Sequence, residues 1–219
     1  GGFGLSYFRA NLDLLDTDEK NKADRFKFAK HRNNFISFRA YLRIILSEYL
    51  NTHPAKITFS YADKGKPFIS DSEIKFNISH SDNFAVYAVT SQIEIGIDTE
   101  KIKELPDALS IAKNYFSEME VKQFSEANEN NYKQAIYNCW TRKEAFIKAI
   151  GEGLSFPLAD FSVSFMPGEA PEMKWIKDKP EESLLWTIIN IDLEKEFISS
   201  LAIRSKQIRL IEKEIPFRI

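Results

Sequence analysis

The chain has 219 residues, enough for one sizeable domain or two compact lobes, and 18 of them are phenylalanine, which points to cores filled by aromatic rings. A formal net charge of -2 excludes a general nucleic-acid binder, which needs a basic excess. The single cysteine, Cys139, excludes an intrachain disulfide and suits a reducing cytoplasm, and no apolar run approaches the roughly 18–20 residues of a membrane span.

The opening Gly1-Gly2-Phe3-Gly4 lacks the basic and then apolar regions of a signal peptide. Asp16 and Glu19 have capping-box spacing and open a helical stretch through about Ala29. A second helix runs from about Asn33 to Leu50, with an apolar stripe of Phe35, Phe38, Leu42, Ile45, Leu46 and Tyr49. Ile57, Phe59 and Tyr61 alternate as a strand does, and residues 63–67 turn the chain. Ile74, Phe76 and Ile78 alternate again. Phe84 to Val89 is apolar on both faces, as in a central strand. Ile93, Ile95 and Ile97 give the cleanest alternation. From Pro106 the pattern turns helical, and Ser117 and Glu120 form another capping box. A long helix covers about Tyr132 to Ile150, with Gly151 placed to close it. Strand-like segments follow at Phe161/Val163/Phe165, Leu184 to Ile191 and Leu201/Ile203. The order helices, strands, helices, strands predicts an α+β fold of two similar lobes, each with helices on a mostly antiparallel sheet. The boundary falls near Lys101 to Pro106, giving lobes over residues 1–103 and 104–219.

Four segments carry possible chemistry. In Ile93 to Glu100, Glu94, Asp98 and Glu100 share one strand face opposite the isoleucines. Such an oxygen pair suits Mg²⁺, and equally a solvated acidic face. On the long helix, Ile136, Trp140, Glu144 and Lys148 follow one another at i+4, which puts Glu144 at the rim of the buried face. Glu144 and Lys148 there read either as a helical ion pair or as a catalytic pair. Phe76-Asn77-Ile78-Ser79-His80-Ser81 reads as a strand ending in a polar turn, whose side chains either bind phosphate or cap their own backbone. A Ser-His nucleophile is disfavoured, because sequence neighbours rarely align for proton transfer and no nucleophile elbow surrounds them. Arg32, Arg39 and Arg43 share a helical face, and with Lys66 they form either phosphate clamps or solvated surface. No P-loop, dinucleotide fingerprint or zinc spacing is present, and Cys139 lies on the apolar side of its helix.

Together these segments resemble the Sfp-type 4′-phosphopantetheinyl transferases. The resemblance rests on Gly65-Lys66-Pro67, Phe76 to Ser81, Gly96-Ile97-Asp98-Thr99-Glu100, Trp140 with Lys143-Glu144-Ala145 and Lys148, and Gly151-Glu152-Gly153. It runs from about Asp16 to Phe165. Thr99 departs from the family, which usually has an aliphatic residue there; it lies on the face opposite the acidic pair. The resemblance implies a pseudo-twofold monomer with a coenzyme A cleft between the lobes. It implies Mg²⁺ on Asp98, Glu100 and Glu144. It implies coenzyme A phosphates on Lys66, Ser79, His80 and an arginine of the second helix, Arg39, with Lys148 at the diphosphate. The implied reaction moves the 4′-phosphopantetheine arm of coenzyme A to a serine of an apo carrier protein, with Glu144 and Lys148 catalytic and 3′,5′-ADP released. A coenzyme A or carrier-binding module without turnover and a diphosphate hydrolase are the alternatives.

Overall fold

Asp16 opens a helix as its spacing predicts. In the computed structural model, which describes residues 11–105 and 107–214, its carboxylate accepts the Glu19 N–H at 2.8 Å and Glu19 accepts the Asp16 N–H at 3.1 Å. The expectations that fall on residues 1–4 and on Pro106 lie outside the described residues.

The helix, α1 (Thr17–Asp24), stops five residues short of the expected Ala29, and α2 (Ala29–Leu50) starts four residues before Asn33. The cause is burial. Ala23 is the last buried residue of α1, and residues 25–28 between the two helices are all exposed, so no apolar stripe holds a continuous helix through them. Asn51, in the left-handed conformation, closes α2.

The chain forms two compact units. The first holds the described residues up to Phe59, residues 69–71 and the described part of 209–219. Its α1 and α2 bury Leu15, Ala23, Ile36 and Ala40 together. Two buried arginines of α2 are bound within it. Glu19 takes Arg39 at 2.6 Å and Arg43 at 2.7 Å, and Arg43 also reaches Asp16 at 2.7 Å and the carbonyls of Ile57 and Pro54. The Phe59 ring lies against both guanidinium groups, 4.4 and 5.0 Å from its centroid. The two carboxylates of the capping box, Asp16 and Glu19, thus also pair with two buried cations, which removes the penalty of leaving either charge unpaired.

The second unit holds residues 60–68 and 72–208. Among the described residues its strands pair only antiparallel, in four small sheets. β1 (Ser60–Tyr61) pairs β2 (Pro67–Phe68), and β3 (Ile74–Ser81) pairs β4 (Phe84–Ser91) across a two-residue turn in which Asp82 has φ +54°. β5 (Ile95–Lys101) pairs β9 (Phe197–Ile203), which pairs β8 (Thr187–Ile191); β6 (Phe161–Val163) pairs β7 (Met173–Ile176). Two expectations are corrected here. Ser79-His80-Ser81 is strand, not turn, because the hairpin register carries pairing through Ser81↔Phe84. β4 is not central, since β3 is its one strand partner among the described residues and its burial alternates.

Helices α3 (Ala108–Tyr115), α4 (Glu118–Ser125), α5 (Tyr132–Ile150) and the short α6 (Pro180–Ser183) complete this unit. Ser117 and Glu120 form the expected capping box of α4, and Gly151 with φ +77° closes α5. Phe116, Phe124, Phe146, Phe161, Phe165 and Trp186 fill the larger core around α5. Val86, Ile95, Ile97, Ile191 and Leu201 form a second cluster beside β5. Mixed helices and antiparallel sheets are therefore the observed fold class.

Candidate active site

The site grows from the contact of β5 with α5. At Gly96 a Cβ would stand 2.1 Å from the Ala145 carbonyl oxygen and 2.4 Å from the Ala149 nitrogen. Only a glycine lets the strand lie directly on that turn of helix, and Ala145 and Ala149 keep the helix side small. Both faces of β5 are buried from Ile95 to Thr99. Asp98 therefore does not belong to a solvated acidic face. The Thr99 hydroxyl, which an aliphatic residue would lack, meets Ser199 Oγ at 2.6 Å on the buried side, away from the acids.

The close contact sets Asp98 of β5 beside Glu144 and Lys148 of α5. Lys148 Nζ donates to Asp98 Oδ1 at 2.6 Å and to Ser79 Oγ at 2.9 Å. The Ser79 hydroxyl donates to Asp98 Oδ1 at 2.9 Å, and Ser81 donates to Glu100 Oε2 at 3.1 Å. Two buried carboxylate oxygens, Asp98 Oδ2 and Glu144 Oε1, have no hydrogen-bond partner among the described residues. Unpaired buried acceptors of this kind cost stability unless something else meets them.

Burial first, and then the Asp98 charge, push the Glu144 and Glu100 carboxyls above their ordinary range; Lys148 works against the shift in both. Partial desolvation of the ring by its surroundings, followed by the Lys148 charge, pushes the His80 imidazole down, although the residue as a whole reaches solvent. Among the described residues no group of three histidine, cysteine, aspartate or glutamate side chains is already arranged to cage a metal ion. Mg²⁺ needs no such cage, because it keeps several waters and takes one or two carboxylates plus substrate phosphates. The two orphaned oxygens fit that mode.

The other expected ligands are placed differently. Lys66 Nζ donates to Ala149 O at 2.6 Å, Glu94 Oε2 at 3.2 Å and Ile95 O at 3.4 Å, and burial pushes its pKa down. It fastens the loop before β2 to the C-terminal turn of α5, where a cation suits the helix dipole. Arg39 lies in the first unit, bound to Glu19. A groove of about 380 Å³ opens beside Lys66, lined by Lys64, Phe68, Lys75, Glu94 and Glu152 among others.

Three features escaped sequence reasoning. Lys143 and Glu120, both almost fully buried, form an ion pair of 2.7 Å, and Lys143 also donates to the carbonyls of Leu158 and Phe161. Arg142 donates to Ser164 and Asn190, and burial pushes its pKa down to about 10. These two cations anchor α5, so the residues that present Glu144 and Lys148 cannot shift freely. The third is the alternation Asn77, Ser79, Ser81, which was visible as a period of two.

The chain matches the family described as the 4′-phosphopantetheinyl transferase superfamily over residues 94–200, and the 4′-phosphopantetheinyl transferase N-terminal family over residues 5–92. It is 31% identical to the 4′-phosphopantetheinyl transferase HetI of Nostoc sp. over 193 residues, which cover 86% of this chain and 78% of that protein. The chain belongs to the 4′-phosphopantetheinyl transferase family. It is also 35% identical to the transferase Sfp of Bacillus subtilis over 153 residues, 69% of this chain and 67% of that one. A solved holo-[acyl-carrier-protein] synthase of Thermotoga maritima shares 21% identity over 52% of this chain and 65% of its own, with a TM-score of 0.41, a partial likeness that adds nothing to the family assignment. Asp98, Glu100, Glu144 and Lys148 lie in the superfamily match, and Lys66, Ser79 and His80 in the N-terminal match.

Proposed function

We propose that this chain transfers the 4′-phosphopantetheine arm of coenzyme A to a serine of an apo carrier protein and releases 3′,5′-ADP. One observation carries the reading. In a chain of this family, two buried carboxylate oxygens without partners stand in the same site as the Lys148 ammonium.

In this reaction the serine oxygen bonds to the phosphorus that bears the pantetheine arm. The bond from that phosphorus to the bridging oxygen of the diphosphate breaks. Glu144 accepts the serine proton, a role suited to a carboxyl whose pKa lies above its ordinary range. Lys148 neutralises charge on the diphosphate. Asp98, Glu100 and Glu144 would hold Mg²⁺. When bound, the ion would offset the anionic charge of the diphosphate.

His80, Ser79, Lys66 and Arg39 are the proposed contacts to coenzyme A phosphates. His80 is exposed beside Lys148. Lys66, Ser79 and Arg39 reach a phosphate only by giving up the contacts within the chain described above.

Residues 1–103 and 104–219 as two similar lobes is supported by β5 and β9, the last strands of the two halves, which run antiparallel as a local twofold demands. Each half also has one long helix, α2 and α5, of 22 and 19 residues. Action as a cytoplasmic monomer follows the resemblance to the single-chain type. Among the described residues no helix is long and apolar enough to cross a membrane.

The test is release of 3′,5′-ADP from coenzyme A, followed by chromatography with and without an apo carrier protein. Release that depends on the carrier supports transfer. Release without it indicates hydrolysis to water, and bound coenzyme A with no release indicates a binding module.

A further inference from the structure

Alternate N–H groups of a strand point to opposite edges, so β5, paired with β9 on one edge, presents the N–H groups of Ile97, Thr99 and Lys101 on the other. No backbone ladder meets them, since β3 and β5 belong to different sheets. Side-chain oxygens of β3 accept them instead: Asn77 Oδ1 from Ile97 at 2.9 Å, Ser79 Oγ from Thr99 at 3.2 Å and Ser81 Oγ from Lys101 at 3.1 Å. The three are spaced by two residues, so one face of β3 supplies them all.

A hydroxyl has one hydrogen to donate after its lone pairs have accepted. Ser79 accepts from the Thr99 N–H and the Lys148 ammonium and donates to Asp98 Oδ1. Ser81 accepts from the Lys101 N–H and donates to Glu100 Oε2. Each serine therefore fixes a backbone N–H and directs its one hydrogen at the acid immediately before that residue in β5. Glu100 has three side-chain torsions to order, and one anchored oxygen removes much of that freedom before any ligand arrives.

We propose that Ser81, with Ser79 beside it on the same rail, is a positioning residue that holds Glu100 ready to bind a divalent cation. The proposal rests on the metal reading above. Hydrogen-bond partners of ligating carboxylates typically contribute about 10–100-fold in metal affinity.

The test is a titration of the purified full chain with Mn²⁺ as a probe for Mg²⁺, read by the loss of the free-ion electron paramagnetic resonance signal, without coenzyme A. Ser81→Ala should weaken Mn²⁺ binding by about 10-fold. Ser81→Thr, which keeps the hydroxyl, should restore most of it. In a Glu100→Gln background, Ser81→Ala should cause no further loss. Should Ser81→Ala not fold by circular dichroism, Ser81→Cys, similar in size with a weaker hydrogen bond, takes its place. Unchanged binding in Ser81→Ala, or an equal loss in the Glu100→Gln background, overturns the positioning role while the metal site stands. Equal binding by the parent and Asp98→Ala overturns the metal reading itself, and the positioning role with it.

Discussion

Lys148 Nζ lies 2.6 Å from Asp98 Oδ1, 50 positions earlier in the chain, and not against Glu144 one helical turn before it. The favoured Glu-to-Lys pair at i+4 would have explained both residues as helix surface. Its replacement by a contact between helix and strand leaves a Glu144 oxygen buried and unpaired. That arrangement is costly for folding alone, and it is what a site for an anionic substrate and a cation would use.

Lys148→Met should therefore do more than remove a surface charge. It leaves Asp98 Oδ1 buried with the Ser79 hydroxyl as its one remaining described partner. Turnover should fall by about 10²-fold or more, the usual scale for a positioned group. Steady-state transfer rates check this, and near-normal turnover would remove Lys148 from the chemistry.

Glu144→Gln should give opposite signs for stability and activity. The Glu144 carboxyl is raised above 4.5 by burial and by Asp98, so the folded state holds its proton more tightly than the unfolded chain does. Its favourable contribution is complete below about pH 4.5 and is lost as pH rises through the higher folded value. Without metal, Glu144→Gln should melt at a higher temperature than the parent near pH 7.5, and the gain should vanish near pH 4.5. Turnover should nonetheless fall by about 10²-fold. Melting curves at the two pH values, with and without Mg²⁺, check this. Added Mg²⁺ should raise the parent more than the variant.

Gly96→Ala tests the contact that builds the site. The new methyl would have to displace helix backbone rather than a flexible side chain. Overpacking costs about 1–3 kcal/mol, and rigid backbone puts this case at the upper end. For a chain of this size that lowers Tm by about 6–12 °C. Calorimetry measures it, and a Tm within a degree or two of the parent would contradict the close packing of β5 on α5.

Lys143→Met leaves the Glu120 carboxylate buried without its cation, and should destabilise by about 3–5 kcal/mol. The double variant Lys143→Met/Glu120→Gln should recover much of that loss, because no lone charge remains. Denaturant unfolding of the three variants decides the point.

Local signals are legible in the sequence. Both capping boxes and the α5 helix with Gly151 at its end depend on near neighbours only; the alternating isoleucines mark β5 as a strand but not that both its faces are buried from Ile95 to Thr99. The break at residues 25–28 was not legible, because it depends on which residues find a core to bury against. The four-residue strand β7 was missed, since so short a segment carries little pattern. In the site, Asp98, Glu144 and Lys148 were legible from residue type and spacing, and the structure brings them together. Spacing leaves Lys66 and Arg39 open as phosphate clamps or solvated surface, and neither reading contains the contacts their heads make with Ala149 and Glu19. Long cationic side chains take their partners from tertiary placement, which spacing does not reveal. The serines of β3 were noticed for their hydroxyls, but their register against β5 appears only when the strands are packed.

The central claim is transfer of the pantetheine arm, and the most direct measurement is the intact mass of an apo acyl carrier protein incubated with this chain and coenzyme A, once with Mg²⁺ and once with EDTA. A gain of one phosphopantetheine in the presence of metal, absent with EDTA, is the expected result. No gain on several unrelated carriers, with coenzyme A bound, would contradict it.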